Sequence, residues 1–398
     1  MRPDDMGRRL LPFTAGAMCL ALASCDARSA PTDAPHVDDL PRLGYVEEVR
    51  IGDRDDPDAG FSRIGDIEVG ADGTVYVLET QAREVRVFDP DGLRVGTVGG
   101  PGQGPGEFGG PRSIGLLGDT LWVLEWQRLS WFGPDGRLVQ ETPGLSLPVE
   151  TDVPGMIIEV GLGEPRDDGL VGSSYRRIMS GGAADRPYHH PVMRFDRGGR
   201  VVDTIRWDTV IPPPTIHVGG RALHPPALRP LNPLVEDIGD ERVELRWRAS
   251  EEEPDGTLDV LRRTTMGDTL VRTGVRYPKV PVPESVRDSL LEIPEGIGRM
   301  YGVSDAELTA AMRSGVDLPA YRPPVRSIEV DRDGGLWIEL SGESADSTAW
   351  VLLNPDLTPR GRLLLPARME PRHVDGAAVW AVEPDELDVP WLVRLTVQ

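Results

Sequence analysis

The chain has 398 residues, with 43 Lys and Arg against 65 Asp and Glu, for a formal net charge of −22. That balance excludes nucleic acid as a partner, since neutralising phosphates needs a basic face, and the 39% of hydrophobic residues excludes wholesale disorder. With 46 Gly and 38 Pro, about a fifth of the positions are turn formers, so long helices have little room and many short strands joined by turns are expected.

The N-terminal segment reads as an address. Arg8 and Arg9 precede an apolar stretch over residues 10–22, which Pro12 and Gly16 interrupt and which is too short to cross a bilayer as a stable helix. It ends Leu22-Ala23-Ser24-Cys25, small residues directly before a cysteine. This resembles the bacterial lipobox, and the resemblance implies a signal peptide over residues 1–24 and a diacylglycerol on Cys25. The two cysteines are Cys19 and Cys25, so the processed chain keeps one, acylated, and holds no internal disulfide. Residues 25–43 are rich in Pro, Ala and Asp and read as a flexible tether. An acidic body cannot hold to anionic lipid by itself, so the acyl chains would do the anchoring. The expected location is the bacterial cell envelope, on the periplasmic side of the inner membrane or on the outer membrane.

From residue 61 the chain repeats itself. Phe61 and Ile67 recur as Phe108 and Ile114 at an offset of 47; Tyr76 and Glu79 recur as Trp122 and Glu125 at 46; Phe88, Asp91, Gly92 and Val95 recur as Phe132, Asp135, Gly136 and Val139 at 44. The offset shrinks only in turns, as a repeated β meander requires, because strands keep register while loops tolerate deletion. The unit returns with Ile67, Gly73 and Tyr76 on Ile328, Gly334 and Trp337 at an offset of 261, and again with Trp380 and Glu383 on Tyr76 and Glu79. Each unit alternates β-branched and aromatic residues between Asp-Gly turns. One such sheet cannot bury both of its faces, whereas units stacked radially cover one another.

Units fall near 61–107, 108–154, 155–233, 234–321, 322–366 and 367–398. The last lacks a strand, and residues 44–51 form an orphan strand at the other end; placing that strand in the last unit closes the ring. The fold expected is all-β, a six-bladed β-propeller over residues 44–398, with seven blades left open by the irregular middle. Two insertions break the pattern. Residues 208–233 are proline-rich and expected to form a long loop, and residues 284–320 carry a small helical insertion in which Ser304 and Glu307 have the spacing of a capping box.

The run DGTVYVLE with VRVFDPDG, the linker from Gly99 to Phe108 and the ending LDVPWLVRLTVQ together resemble the bacterial six-bladed β-propeller lipoproteins, relatives of the NHL-repeat propellers. The resemblance covers nearly all of residues 44–398. It implies a fold and an envelope location, and it brings no reaction with it.

Candidate chemistry is sparse. Glu79, Glu125 and Glu383 occupy one repeat position just after the second strand of three units, so they are the metal candidates if a ring of carboxylates converges on the axis; the other reading is that each accepts hydrogen bonds from its own strand turn. Arg176, Arg177, Tyr188, His189 and His190 flank the hairpin loop of the third unit and are candidates for holding an anionic or polar ligand. No HExxH or GxSxG occurs, and no catalytic residue or cofactor is assigned. The expected function is a lipid-anchored, non-catalytic binding or interaction module for an envelope protein, peptide or glycan. The alternative is a metal-dependent propeller hydrolase or lyase, lactonase-like or NHL lyase-like, with an axial site.

Overall fold

The computed structural model describes residues 34–54, 59–126, 128–154, 156–163, 165–166, 169–172, 174–179, 187–210, 216–219, 221–223, 234–238, 241–264, 267–316, 318–342 and 344–398; for 174–179, 217, 221–223, 236 and 238 the description is of the backbone. The segment read as a signal peptide, residues 1–24, and Cys25 lie outside these residues.

The chain forms a six-bladed β-propeller. Blade 1 is the antiparallel sheet of Ile64–Val69, Val75–Glu79, Glu84–Phe88 and Arg94–Val98, and blade 2 repeats it with Pro111–Leu117, Thr120–Glu125, Arg128–Phe132 and Leu138–Pro143. Blade 4 holds Leu234–Ile238, Glu241–Arg248, Asp255–Thr264 and Thr269–Pro278; blade 5 holds Val325–Val330, Leu336–Leu340, Ser347–Leu353 and Pro359–Pro366. Blade 3 is split. Leu147–Glu150, Met156–Val160 and Ser174–Met179 form one sheet, and Pro165–Arg166, Gly169–Gly172, Tyr188–Phe195 and Val201–Val210 form the other.

Blade 6 takes Glu370–Asp375, Ala378–Pro384 and Pro390–Val397 from the C-terminus and Tyr45–Ile51 from the N-terminus as its outer strand. Tyr45 pairs with Val397 and Ile51 with Leu392 in antiparallel register. The closure expected from the orphan strand is therefore the one observed.

Apolar clusters join neighbouring blades. Leu78 and Val85 meet Phe108 and Phe132 between blades 1 and 2; Trp122 and Trp131 meet Met156 and Phe195 between blades 2 and 3; Leu245 and Val260 meet Ile338 and Val351 between blades 4 and 5; further clusters join blade 5 to 6 and blade 6 to 1. Among the described residues no such cluster joins blades 3 and 4. Arg206 and Asp208 of blade 3 instead form a closed ion ring with Asp237 and Arg242 of blade 4, at N–O distances of 2.5 to 3.1 Å.

The stretch read as a tether has structure from Ala34 onward. Val37 and Leu40 insert into the core between blades 4 and 5, Arg276 donates to the carbonyls of Ala34 and Pro35, and Arg42–Leu43 adds a short parallel strand to blade 5. The two insertions also differ from a bare loop plus a helix. The last strand of blade 3 runs on to Val210, and a hairpin of Ile216–Val218 with Arg221–Leu223 follows. Its Ile216 and Val218 pack on Leu308 and Met312 of the second insertion, whose helices are α1 (Glu284–Leu291), α2 (Ile297–Tyr301) and α3 (Asp305–Gly315). The insertions thus share one small core that neither could bury alone. At the start of α3 the Ser304 hydroxyl accepts from the Glu307 N–H while the Glu307 carboxylate accepts from the Ser304 N–H, so the capping box is present.

Candidate functional site

The first strands of blades 5, 6, 1 and 2 touch one another in turn and so line the inner wall of the ring. Each carries a register shift near its start: at Ile64/Asp66, Pro111/Ser113, Val325/Ser327 and Pro371/His373. A bulge re-aims the side chains that follow it. After the bulge, polar residues alternate with core residues, as in Asp66-Ile67-Glu68-Val69, where Ile67 and Val69 are buried in the core. The same alternation places His373 and Asp375 around the buried Val374.

These inner-strand residues meet across blade boundaries. Glu68 Oε1 of blade 1 lies 3.9 Å from His373 Nδ1 of blade 6. Arg332, in the turn after the first strand of blade 5, ion-pairs with Asp375 of blade 6 at 3.3 Å and donates to the Val69 carbonyl of blade 1 at 2.7 Å. Asp66 accepts from the Ile114 N–H of blade 2 at 3.0 Å. One guanidinium, three carboxylates and one imidazole from blades 5, 1 and 6 therefore converge, with a backbone N–H of blade 2 beside them.

Burial governs their charge. Desolvation is the largest influence on Glu68 and, with the nearby Asp66 and Asp375, pushes its carboxyl up to about 7 against the pull of Arg332 and a hydrogen bond from Val69 N–H. Desolvation also leads for His373 and, with Arg332, pushes the imidazole down to about 4. Between those values both groups are neutral, and at no pH are both charged. The 3.9 Å approach is thus a contact of an uncharged imidazole with a carboxyl group rather than a salt bridge. His373 Nε2 is buried and, among the described residues, has no hydrogen-bond partner.

The residues singled out in the sequence lie elsewhere. Glu79 is fully buried, and its carboxylate accepts from the N–H groups of Ser62, Arg63 and Gln81 at 2.8 to 3.2 Å. Glu125 accepts from Gly109 and Gly110 N–H and from Arg128 Nε. Both fasten the linker that enters their own blade. Glu383 pairs with Arg50 at 2.5 Å and lines an open groove of about 600 Å³ with Arg54, Arg368 and Trp391. The three carboxylates stay at the far ends of their second strands, and among the described residues no group of three or more His, Cys, Asp or Glu has a metal-holding arrangement.

In blade 3 the candidates are spread apart. Tyr188 is buried in the core shared with blade 2, and His189 hydrogen-bonds Asp152 at 2.7 Å on the surface. His190 lines a cavity of about 470 Å³ between blades 3 and 4, beside Val192, Asp208 and Arg242, and its buried Nδ1 has no hydrogen-bond partner among the described residues. Arg176 and Arg177 pair through their backbones with Glu159 and Ile158; their side chains lie outside the described residues.

Sequence reasoning missed Glu68, Arg332, His373 and Asp375. A signal existed: aligning Ile67 with Ile328 also aligns Glu68 with Glu329, so an acidic residue recurs beside the core isoleucine of the first strand.

No family model matches the chain, and no curated protein matches it. Among solved structures, the chain is similar to a putative exported protein from Bacteroides fragilis, with 13% identity over 93% of this chain and 98% of that one and a TM-score of 0.46. It is similar to virginiamycin B lyase from Staphylococcus aureus, with 13% identity over 89% and 99% of the two chains and a TM-score of 0.36. It is also similar to the PQQ-bound aldose sugar dehydrogenase from Streptomyces coelicolor, with 14% identity over 90% and 100% and a TM-score of 0.38, and these likenesses are of fold alone.

Proposed function

We propose that the chain is a lipid-anchored, non-catalytic binding protein of the bacterial cell envelope that receives a polar ligand among Glu68, Arg332, His373 and Asp375. The buried, unpartnered Nε2 of His373 carries this reading. Buried polar atoms in folded proteins are nearly always satisfied, so one left over at a convergence of inner strands suits a site completed by a ligand. A neutral imidazole, a carboxyl group protonated near neutrality and a guanidinium offer donors and acceptors together. That mixture fits amide or hydroxyl groups of an envelope protein, peptide or glycan, and it needs no cofactor. The anchor rests on Leu22-Ala23-Ser24-Cys25.

The test is a thermal-shift panel of envelope glycans and peptides on the processed protein. A ligand should raise the melting temperature of the native protein and lose that effect in His373→Phe and Glu68→Gln. A ligand whose shift survives both substitutions would place binding elsewhere. Separately, Cys25→Ala protein that still fractionates with membranes, with processing unchanged, would remove the lipid anchor.

A propeller hydrolase or lyase with an axial metal is the second reading. Glu68 favours it in one respect, because a carboxyl titrating near 7 suits general acid–base work. A stoichiometric divalent ion, removed by chelator and lost in Glu68→Gln, would choose it over the first.

A further inference from the structure

We infer that the cavity between blade 5 and helix α1 binds a small amphipathic carboxylate, received by Arg322. The cavity holds about 540 Å³ and lies where Val325–Val330, the first strand of blade 5, begins. Arg332 follows the far end of that strand, so the axial cluster is at the other end of the blade. The groove at blade 6 and the cavity between blades 3 and 4 both have Asp and Glu in their walls. This wall has neither, and it carries Arg322 and Arg326 on a chain whose formal charge is −22.

The two arginines differ. Arg326 pairs with Glu339 at 3.1 Å, and Glu339 also accepts from Ser327 Oγ at 2.8 Å. Among the described residues the Arg322 side chain has no ion pair and no hydrogen bond, yet its backbone is held. Its N–H donates to the Val280 carbonyl at 2.8 Å. Beside it, Ser341 donates through Oγ to the Pro323 carbonyl at 2.6 Å and through N–H to the Pro324 carbonyl at 2.7 Å. A guanidinium on a held backbone, with its donors unspent, meets a carboxylate through two parallel N–H bonds. One uncompensated cation matches one negative charge.

The hydroxyls of the wall add donors. Ser344 Oγ accepts from the N–H groups of Asp346 and Ser347 at 3.2 Å. Ser344 and Ser347 Oγ lie 3.1 Å apart, a contact that takes one of their two protons. Thr348 Oγ1 accepts from Trp350 Nε1 at 3.2 Å. One proton of the serine pair and that of Thr348 are therefore left to give, which suits an acceptor-only group such as an ionised carboxylate. The rest of the wall is apolar, with Val286 of α1 facing Pro323, Val325 and Leu340. An acid headgroup at Arg322 thus carries a short aliphatic or aromatic body, since a charged body would lose its water against that wall.

Ligand-observed NMR titration of the processed protein with hexanoate, its neutral counterpart hexanamide, hexylammonium and hexyl phosphate tests this. Hexanoate should bind at least tenfold more tightly than hexanamide or hexylammonium and weaken as salt rises. Arg322→Gln should cost hexanoate at least tenfold while the melting temperature stays native, because that side chain has no partner to lose. Hexanamide binding as tightly as hexanoate, or hexanoate binding undiminished in Arg322→Gln, would overturn the site. Hexyl phosphate binding more tightly than hexanoate would overturn the carboxylate headgroup. Should Arg322→Gln fail to fold, Val286→Glu and Val286→Gln take its place: the added carboxylate should cost at least fivefold more affinity than the amide of the same size, and equal losses would overturn the proposal. Glu68→Gln should leave hexanoate binding intact; a loss there would put the acid in the axial cluster instead.

Discussion

His373 Nδ1 stands 3.9 Å from Glu68 Oε1, and burial opposes charge on both. Their contributions to stability run in opposite directions with pH. Glu68 titrates near 7 in the folded chain but near 4.5 when unfolded, so between those values the unfolded state releases its proton first and stability falls as pH rises. His373 titrates near 4 when folded and near 6.5 when unfolded, so over that window the unfolded state holds the extra proton and stability rises with pH. In the native chain the two slopes largely cancel between about pH 4.5 and 6.5. Glu68→Gln should unmask the histidine, with stability climbing across that window by up to about 3 kcal/mol, and His373→Gln should unmask the opposite slope. Urea unfolding at half-unit pH steps measures both; parallel profiles for the native chain and the two variants would refute the assignment.

The repeat made the ring legible. Phe61 and Phe108, Tyr76 and Trp122, and the Asp-Gly turns recur because each blade solves the same packing problem, and the orphan strand at residues 44–51 disclosed the closure. The axial cluster was not legible in the same way. Glu68 and His373 come from the first and last blades, and their approach is a product of ring closure, which no local pattern encodes. Glu79 and Glu125 drew notice because they recur, and they recur because each fastens its own linker.

Fastening by Glu79 has a measurable cost when removed. Its carboxylate is fully buried and satisfies three backbone N–H groups of Ser62, Arg63 and Gln81. Glu79→Ala leaves those donors without an acceptor and opens a void, so a loss of about 2–4 kcal/mol is expected by urea unfolding. Bound divalent metal, measured by elemental analysis, should not change. A loss under about 0.5 kcal/mol would show that water replaces the carboxylate freely.

The N-terminal strap and the closing strand should separate by truncation. Residues 34–43 seat Val37 and Leu40 between blades 4 and 5, and Asp38 pairs with Arg362. A chain starting at residue 44 keeps the closing strand and loses that packing, which at about 1.5–3 kcal/mol for each of the two buried side chains predicts a loss of about 3–6 kcal/mol with cooperative unfolding retained. A chain starting at residue 52 also loses the outer strand of blade 6 and exposes a sheet edge. It should lose cooperativity and aggregate on heating. Equal melting curves for the chains starting at 34 and 44 would show the strap to be idle.

Gly115 explains why blade 2 adds no carboxylate beside Glu68. It pairs across the sheet with Trp122, as Glu68 does with Tyr76 and Glu329 with Trp337, yet a Cβ built at Gly115 would lie 2.2 Å from the Trp122 ring. The indole fills the space that a side chain at 115 would need, and Trp122 is held there by the core shared with blade 3. Gly115→Ala should therefore cost about 1–3 kcal/mol through overpacking. Trp122→Phe shrinks the ring and should cost stability in its own right, but combined with Gly115→Ala it should recover part of the strain, giving a coupling of about 0.5–2 kcal/mol in the direction of rescue. Denaturant unfolding of the two single variants and the double variant closes the cycle. Additive losses would mean that the indole moves aside at no cost and that glycine at 115 answers to something other than Trp122.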